Sequence, residues 1–519
     1  MPGGRRGALV AAIAVTVTLI LAACGQSPSI SLTLDAAIAE LVRGGEVQVE
    51  VTLTRSGGST ADVALAVTGL PANVAASFSP ATLSGGALTS TLTLSADAAA
   101  VDATSSLVVT GSGTGLAAST HLTLEVTSLT VTGRVVSMFE FAVEGAVVAS
   151  QGDIDVTDMN GDFTLTGLSV PYDVSVWNST DDWLHVFEGF TSDELVLAPL
   201  GTLTAPPVPT RSTVVQGNLS GGVMPVPTGQ HVMVCVEGVD GAITGCDTVS
   251  PTENSYSIAA EWSGSVTRQV RLHALQIAST GGYATGYPGY ATLAMTLTDA
   301  TPVVANLDLG TALQTTTVDV EIDTPIAIAG TFAAAQLGPN LGIPVMLVNS
   351  AVTSHEVVMP VLTDVTYTFV ATTGGQQIGW VADVTGPTAT VVVPAAPVLA
   401  SPPDTTVGVT TNTVFTASNP TAGPMTFHWQ ITSGPMIGLT TMAGSHSIPD
   451  PTEYGMLFPT AAIGNWQVIG HSGATAESGS TGLTDLFNSL YMFVMGFTPG
   501  LDGTGSFAIS DNWDFTTAP

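Results

Sequence analysis

Short runs in which apolar and polar residues alternate recur along the chain and end at turn-forming residues. Residues 48–54, 90–95 and 366–371 are examples. Every second side chain of a β-strand lies on the same face, so each run can bury one face and expose the other. The 56 glycines and 31 prolines separate these runs, as in proteins built from many short strands. The sequence therefore predicts an all-β protein. At roughly 100 residues per sandwich, its length fits four or five tandem β-sandwich domains.

The charged residues exclude several functions. The chain has eight arginines, no lysine and 41 acidic residues, which give a formal net charge of −33. Chemistry that needs a Schiff-base lysine or a phosphate-loop lysine is excluded. Nucleic acid is repelled, so we expect no nucleic-acid partner. The surplus carboxylates attract cations, which leaves Ca²⁺ open as a ligand, while the alternative is that acidity keeps the surface soluble.

The N-terminus has the features of an export signal. Arg5 and Arg6 precede an apolar segment at 7–20, which is too short for a comfortable membrane span, and small residues then lead to Cys24. This pattern resembles the signal peptide of a bacterial lipoprotein. The resemblance implies cleavage before Cys24, lipidation of that cysteine, and an anchor in the cell membrane or the outer membrane. The alternatives are an uncleaved membrane anchor, a simple secretory signal in which the cysteine is incidental, and a twin-arginine signal.

Two further cysteines flank a turn signal. Cys235 and Cys246 lie on either side of Asp240 and Gly241, and Asp-Gly is a favoured type I′ hairpin turn. The register of such a hairpin places the two cysteines directly opposite each other, at a separation within the disulfide range. The sequence therefore predicts a disulfide. Free thiols and half of a metal site are the alternatives.

Two segments resemble known families of non-catalytic domains. Residues 69–74 and 77–83 are similar to bacterial Ig-like domains. Residues 131–136, 143–148, 157–163 and 172–174 are similar to the carboxypeptidase regulatory-like family. That second resemblance implies a transthyretin-like sandwich of about seven strands. Asp158, Asn160 and Asp162 begin like a calcium loop, but Ser169 stands where a bidentate acid is needed, and a tight hairpin turn at residues 160–161 is the better interpretation.

Aromatic and histidine residues supply the remaining candidates. Flat rings can stack on sugars or fill a core, and the stacking candidates are Trp177, Trp183 and Trp429.

Residues 413–417 and 425–431 resemble early strands of fibronectin or PKD modules, and residues 484–495 have the pattern of a short helix. The densest polar cluster is in this last domain and contains His428, His446, His471, Asp450, Glu453 and Tyr454.

The motifs of known enzymes are missing. Residues 470–473 read Gly-His-Ser-Gly, but Ala474 stands where a nucleophile elbow needs glycine. The eight histidines lack the paired spacing of zinc ligands. We therefore expect no catalytic residue, no metal site and no enzyme, with a hydrolase in the C-terminal domain as a minor alternative.

The predicted organisation follows from these observations. We expect a lipid-anchored, extracytoplasmic protein with a structural, adhesive or display role at the bacterial surface. The alternative is a lipoprotein that binds carbohydrate or another envelope polymer, so a polysaccharide or protein ligand is the expected partner besides the membrane. The predicted segments are a signal peptide at 1–23, a tether at 24–30, an Ig-like domain at 31–127, a carboxypeptidase regulatory-like domain at 128–204, a disulfide-containing sandwich at 212–310, a sandwich at 311–398, and a fibronectin- or PKD-like domain at 399–519.

Overall fold

The chain is built of strands. The computed structural model describes residues 27–137, 142–178, 182–199, 209–239, 244–338, 341–373, 377–472 and 504–519. Apart from one short 3-10 helix at Pro451–Tyr454, the elements in this part of the chain are β-strands. The predicted all-β class is confirmed. The chain divides into two compact units, Met1–Thr130 with Thr166–Pro171 and Val131–Leu165 with Tyr172–Pro519.

The first unit is a β-sandwich. One sheet has the order β1-β3-β7-β5 and the other has the order β2-β9-β8-β4-β6. Apolar and polar residues alternate in β3, so Val49, Val51 and Leu53 face the core. They belong there to the same cluster as Leu107 and Leu122 of the second sheet. Its strands are β1 Ser29–Leu34, β2 Ile38–Val42, β3 Glu46–Ser56, β4 Val63–Thr68, β5 Val74–Ser79, β6 Thr82–Leu83, β7 Thr89–Ala96, β8 Ala103–Gly113 and β9 Leu116–Thr127.

The strands that follow form four modules, which we call A to D. Module A contains β10 Leu129–Val135, β11 Val147–Ser150, β12 Asp153–Val156, β13 Asp162–Leu168, β14 Tyr172–Asn178, β15 Trp183–Phe190 and β16 Glu194–Leu197. Module B contains β17 Arg211–Ser220, β18 Gln230–Gly238, β19 Thr244–Val249, β20 Ser255–Trp262, β21 Thr267–Thr280, β22 Tyr283–Thr298, β23 Val303–Val304 and β24 Leu307–Asp308.

Modules C and D complete the second unit. Module C contains β25 Thr315–Asp323, β26 Gly330–Gly338, β27 Leu341–Val348, β28 Ser354–Pro360, β29 Thr366–Thr372, β30 Gln377–Val384 and β31 Thr388–Val392. Module D contains β32 Val398–Ser401, β33 Thr406–Val409, β34 Val414–Ser418, β35 Met425–Ile431, β36 Met436–Thr441, β37 Ser445–Ser447, β38 Ile463–His471, β39 Thr504–Ile509 and β40 Trp513–Thr517, with the 3-10 helix between β37 and β38.

Modules A, B and C repeat one topology. In each, the first, fourth and seventh strands form a small sheet of the module's own, and the first strand pairs in parallel with the seventh. The second, third, fifth and sixth strands enter a much larger sheet. In module B the seventh position is divided between β23 and β24. Module D also has a small sheet, β32-β34-β37, in which β32 pairs antiparallel with β34.

The large sheet contains 18 strands and joins all four modules. The strand pairings place module A beside module D through β15 and β36, module D beside module C through β39 and β30, and module C beside module B through β27 and β22. The β15–β36 junction is parallel and five residue pairs long, whereas β22 and β27 share one pair, Tyr283 with Met346. The order of modules in the sheet is therefore A, D, C, B.

Apolar side chains fill the junction between modules C and D, where a strand of the large sheet is covered on both faces. Strand β26 is buried at eight of its nine positions. Ala333 and Ala335 face the core of module C, while Phe332 and Ala334 pack with residues of module D such as Phe507. Small alanines suit a strand that must pack closely on both sides. The modules of this unit are therefore held by shared cores as well as by strand pairing.

Phe507→Ala tests the junction between modules C and D. Phe507 is buried, and its ring centroid lies 6.5 Å from that of Trp380. We expect the variant to lose about 3 to 5 kcal/mol of unfolding free energy, since truncating a buried phenylalanine leaves a cavity. Urea unfolding followed by tryptophan fluorescence measures this loss. Leu457→Ala is the control, because Leu457 is 82% exposed. A loss of similar size in both variants would contradict a packed junction.

Candidate functional site

Several predicted features fall outside the part of the chain that the structure describes. They are Cys24, the turn at residues 240 and 241, and the helix predicted at 484–495. Among the described residues, no helix has the length and apolar character needed to cross a membrane. The lipidated cysteine therefore stays a prediction from the sequence.

Cys235 and Cys246 form the predicted disulfide. Strands β18 and β19 pair antiparallel with Cys235 directly opposite Cys246, and the two Cα atoms are 4.1 Å apart. Cys235 is fully buried and belongs to the apolar cluster that contains the core of module C, including Val318. The bond therefore lies on the face of module B that packs against module C. Closing a loop of this length contributes about 2 to 3 kcal/mol in the chain-entropy treatment.

The double variant Cys235→Ala and Cys246→Ala tests the contribution of the disulfide. We expect it to unfold at a lower urea concentration, corresponding to a loss of about 2 to 3 kcal/mol. Dithiothreitol is expected to destabilise the wild type by a similar amount and to leave the variant unchanged. Equal stability of oxidised and reduced wild type would contradict the assignment.

The three candidate tryptophans differ in burial. Trp183 is 2% exposed and Trp429 is 0% exposed. Neither ring presents a face to solvent, which removes both as stacking residues for sugar and assigns them to packing. Trp177 is partly exposed, and its ring packs edge-on against Tyr454 with centroids 4.9 Å apart. The hydroxyl of Tyr454 lies 3.0 Å from Ser175 Oγ. Trp177 is the remaining stacking candidate.

The polar cluster predicted in the last domain is divided by the sheet of module D. His446 is on the core side, with its Nε2 atom 3.0 Å from Oε2 of Glu188 in module A. Asp450 caps the 3-10 helix by accepting a hydrogen bond from the N–H of Thr452. His428 and His471 lie on the other face of the sheet. Across the described ranges, no group of three or more His, Cys, Asp or Glu residues is arranged to hold a metal ion.

His471 belongs, together with His185 of module A, to a buried network that the sequence did not reveal. His185 Nε2 lies 2.9 Å from Thr440 Oγ1, which lies 2.9 Å from Thr426 Oγ1, which in turn lies 3.1 Å from His471 Nε2. The chain of contacts crosses β15, β36, β35 and β38, so it spans the junction of modules A and D. His428 occupies the same face and contacts Gln467. The sequence signal was the alternation of these residues with core aromatics, as in Phe427–His428–Trp429.

Burial keeps these histidines neutral. Desolvation lowers the pKa of His185 to about 3, with further lowering from His428 and His471. Desolvation also lowers the pKa values of His428 and His471 to about 4. Gly438 faces His185, and a Cβ at that position would lie 2.5 Å from the imidazole Nδ1. The network is a packed, uncharged element of the junction and has no solvent access for a substrate.

Two more histidines lie on the large sheet of module B and at its junction with module C. His273 Nε2 is 3.3 Å from Oε2 of Glu237, and its Nδ1 is 3.0 Å from the hydroxyl of Tyr290. The hydroxyl of Tyr283 lies 2.9 Å from Nδ1 of His355, which connects β22 of module B to β28 of module C. Burial lowers the pKa of His355. Polar side chains therefore add specific contacts where the strand pairing between these two modules is shortest.

The segment that resembles the start of a calcium loop forms a turn. The N–H of Gly161 donates to the carbonyl of Asp158 at 2.9 Å, and the Asp158 carboxylate accepts from the N–H groups of Asn160 and Asp162. These hydrogen bonds lower the pKa of Asp158. The predicted hairpin at residues 160–161 is wrong in one respect. Strands β12 and β13 on either side belong to different sheets, so the turn carries the chain from one sheet to the other.

Comparisons with known proteins were made for the whole chain. No protein-family model matches it, and no curated protein matches it. Solved structures with similarity include domains 4 and 5 of the S-layer protein SbsC, with 15% identity and a TM-score of 0.16 over 19% of this chain and 53% of that one. Domains 4–9 of the same protein align with 8% identity and a TM-score of 0.17 over 88% and 64% of the two chains.

A fragment of the titin I-band is similar at 10% identity, with a TM-score of 0.15 over 54% of this chain and 99% of that one. The first SbsC alignment spans about half the length of the structure that it matches. Scores this low carry no argument about function. The assignment of an all-β fold with tandem sandwiches rests on the strands and sheets themselves.

The lowered pKa values of His185, His428 and His471 predict a loss of stability in acid. Their folded pKa values lie below the unfolded value near 6.5, so the unfolded chain binds more protons as the pH falls from about 6.5 toward 4. At pH 5 the expected loss is on the order of 2 kcal/mol for each histidine. Thermal unfolding at pH 7.5 and pH 5 measures this.

His428→Leu removes one titrating group, and its melting temperature should therefore fall less between the two pH values. His121→Gln is the matched control, because His121 is exposed and in the first unit. An unchanged pH dependence in His428→Leu would contradict the assignment of His428 as a neutral, desolvated histidine.

Proposed function

We propose that this chain is a lipid-anchored structural protein of the bacterial cell surface, with a role in adhesion or display. The observation that carries the proposal is the 18-stranded sheet common to modules A to D. Domains joined only by linkers move independently by default. Modules that share strand pairing and apolar cores move together, which suits a scaffold. The Phe507→Ala experiment bears on this point, because independent modules would make that junction dispensable.

The finer architecture is part of the proposal. The first unit, with its two packed sheets, supports an Ig-like domain at 31–127. The seven-strand arrangement of module A, divided between two sheets, supports the carboxypeptidase regulatory-like resemblance at 128–204. Module D, with its antiparallel β32, is proposed as a fibronectin- or PKD-like domain.

An extracytoplasmic location has two supports. The disulfide between Cys235 and Cys246 is typical of oxidising compartments. The lipoprotein-like segment ending at Cys24 supplies the proposed anchor. Together they support a location of the modules outside the cytoplasmic membrane, where a scaffold of the envelope would act.

The proposal assigns no reaction to the chain. The burial of His185 and His471 supports this, because a catalytic group must reach its substrate. Carbohydrate binding is the second candidate function, and the partly exposed pair of Trp177 and Tyr454 is the observation that favours it. The net charge of −33 would restrict such a ligand to neutral or cationic polymers.

Cys24→Ser tests the anchor in bacterial cells grown with radiolabelled palmitate. We expect the wild type to carry the label and to sediment with membranes, and the variant to lose both properties because the thiol that receives the lipid is missing. The double alanine variant of Cys235 and Cys246 is the matched cysteine control and should keep the label. An unlabelled wild type recovered in the cytoplasmic fraction would overturn both the anchor and the location.

A further inference from the structure

The large sheet ends at β12 of module A, a short strand at the surface. Residues Asp153–Val156 pair with β11 on one side. The described pairings assign no strand to the other side. Ile154 is 62% exposed and Val156 is 55% exposed, while Asp153 and Asp155, which alternate with them, are partly buried. An edge strand presents backbone donors and acceptors to any chain that can lie beside it.

The exposed face beside β12 is a continuation of a buried apolar surface. Val156 lies opposite Val147, which lies opposite Trp177, which lies opposite Leu184 in the core of module D. This row crosses β12, β11, β14 and β15. Ile154 starts a second row through Ala149. An added strand would extend both rows and would place apolar side chains beside Val156 and Ile154.

The same fold position accepts a strand elsewhere in this unit. β12 is the third strand of module A, and β27 is the third strand of module C. β27 pairs with β22 of module B. In module D, β36 has the corresponding place at the end of its run and pairs with β15 of module A. In module B, β19 is the third strand, and the described pairings give it a partner, β18, on one side only. β12 differs from β19 in the exposed apolar side chains of Ile154 and Val156.

The edge of β12 also has a defined charge. Oδ1 of Asp155 accepts a hydrogen bond from the N–H of Val156 at 2.8 Å, and Oδ2 accepts from the N–H of Thr164 at 2.7 Å. Oδ1 of Asp155 therefore accepts the hydrogen bond of an N–H group, that of Val156, which a carbonyl of an incoming strand would use. When such a carbonyl accepts this hydrogen bond instead, Oδ1 can bind a cation on the incoming strand. This carboxylate opposes pairing with another acidic strand, because like charges on paired strands repel each other.

We propose that β12 binds an extended segment of another protein by strand addition, with apolar residues alternating with lysine or arginine. The apolar residues would lie beside Ile154 and Val156, and the basic residues beside Asp153 and Asp155. A second copy of this chain fits poorly, because it has no lysine and a net charge of −33. The proposal is independent of the lipid anchor, since it concerns the folded modules alone.

A labelled peptide in which valine and lysine alternate is the probe. Fluorescence anisotropy with the full chain measures its dissociation constant. We expect binding that weakens with added salt, and weakening of about tenfold or more in Ile154→Lys, which loses apolar contact and adds a like charge. Ile154→Val should bind like the wild type. Val304→Lys is the matched control, because Val304 is 69% exposed on the short strand β23.

Peptide variants separate backbone pairing from charge. A probe with alternate amides methylated should fail to bind if the contact is a β-ladder, and a valine–glutamate probe should fail because of Asp153 and Asp155. Equal binding of either probe would overturn the proposal, as would equal weakening by Val304→Lys. Dimerisation that Ile154→Lys abolishes would assign the edge to a second copy. Displacement of the probe by a neutral glucan would assign the surface to sugar.

Discussion

Strand pairing between modules is the constraint on which the second unit depends. Each small sheet can cover one face of its module, but the strands of the large sheet continue into neighbouring modules. The parallel contact of β15 with β36 and the antiparallel contact of β39 with β30 convert four sandwiches into one body. Strands near the junctions are therefore buried on both faces. The alanines of β26 and the run of buried residues in β21 are examples.

Buried polar groups have a particular place in this arrangement. The networks of His185 with Thr440 and of Tyr283 with His355 cross module boundaries. A buried polar group costs free energy unless it is paired, so a shifted register would leave these groups unpaired. The networks therefore favour one register at each junction, where apolar contacts alone would tolerate several.

Local patterns predicted the local structure well. Alternation in residues 48–54 gave the buried face of β3, and the spacing around residues 240–241 gave the pairing of Cys235 with Cys246. The junctions were beyond such patterns, because β15 and β36 meet across some 250 residues of sequence. The same limit explains the tryptophans and histidines. Whether Trp429 or His428 faces solvent depends on which module covers the sheet. The sequence around these two residues does not contain this information.

Modules that are adjacent in the large sheet are not all adjacent in the sequence, so some strands wait for their partners during synthesis. Module A emerges first, yet the partner of its strand β15 is in module D, which emerges last. Until then β15 is an unpaired edge, and long-range pairing of this kind forms slowly. The nascent chain must therefore carry an open edge until module D has been synthesised. The acidic composition makes similar chains repel each other. It therefore opposes association through the open edge during synthesis as well as in the finished protein.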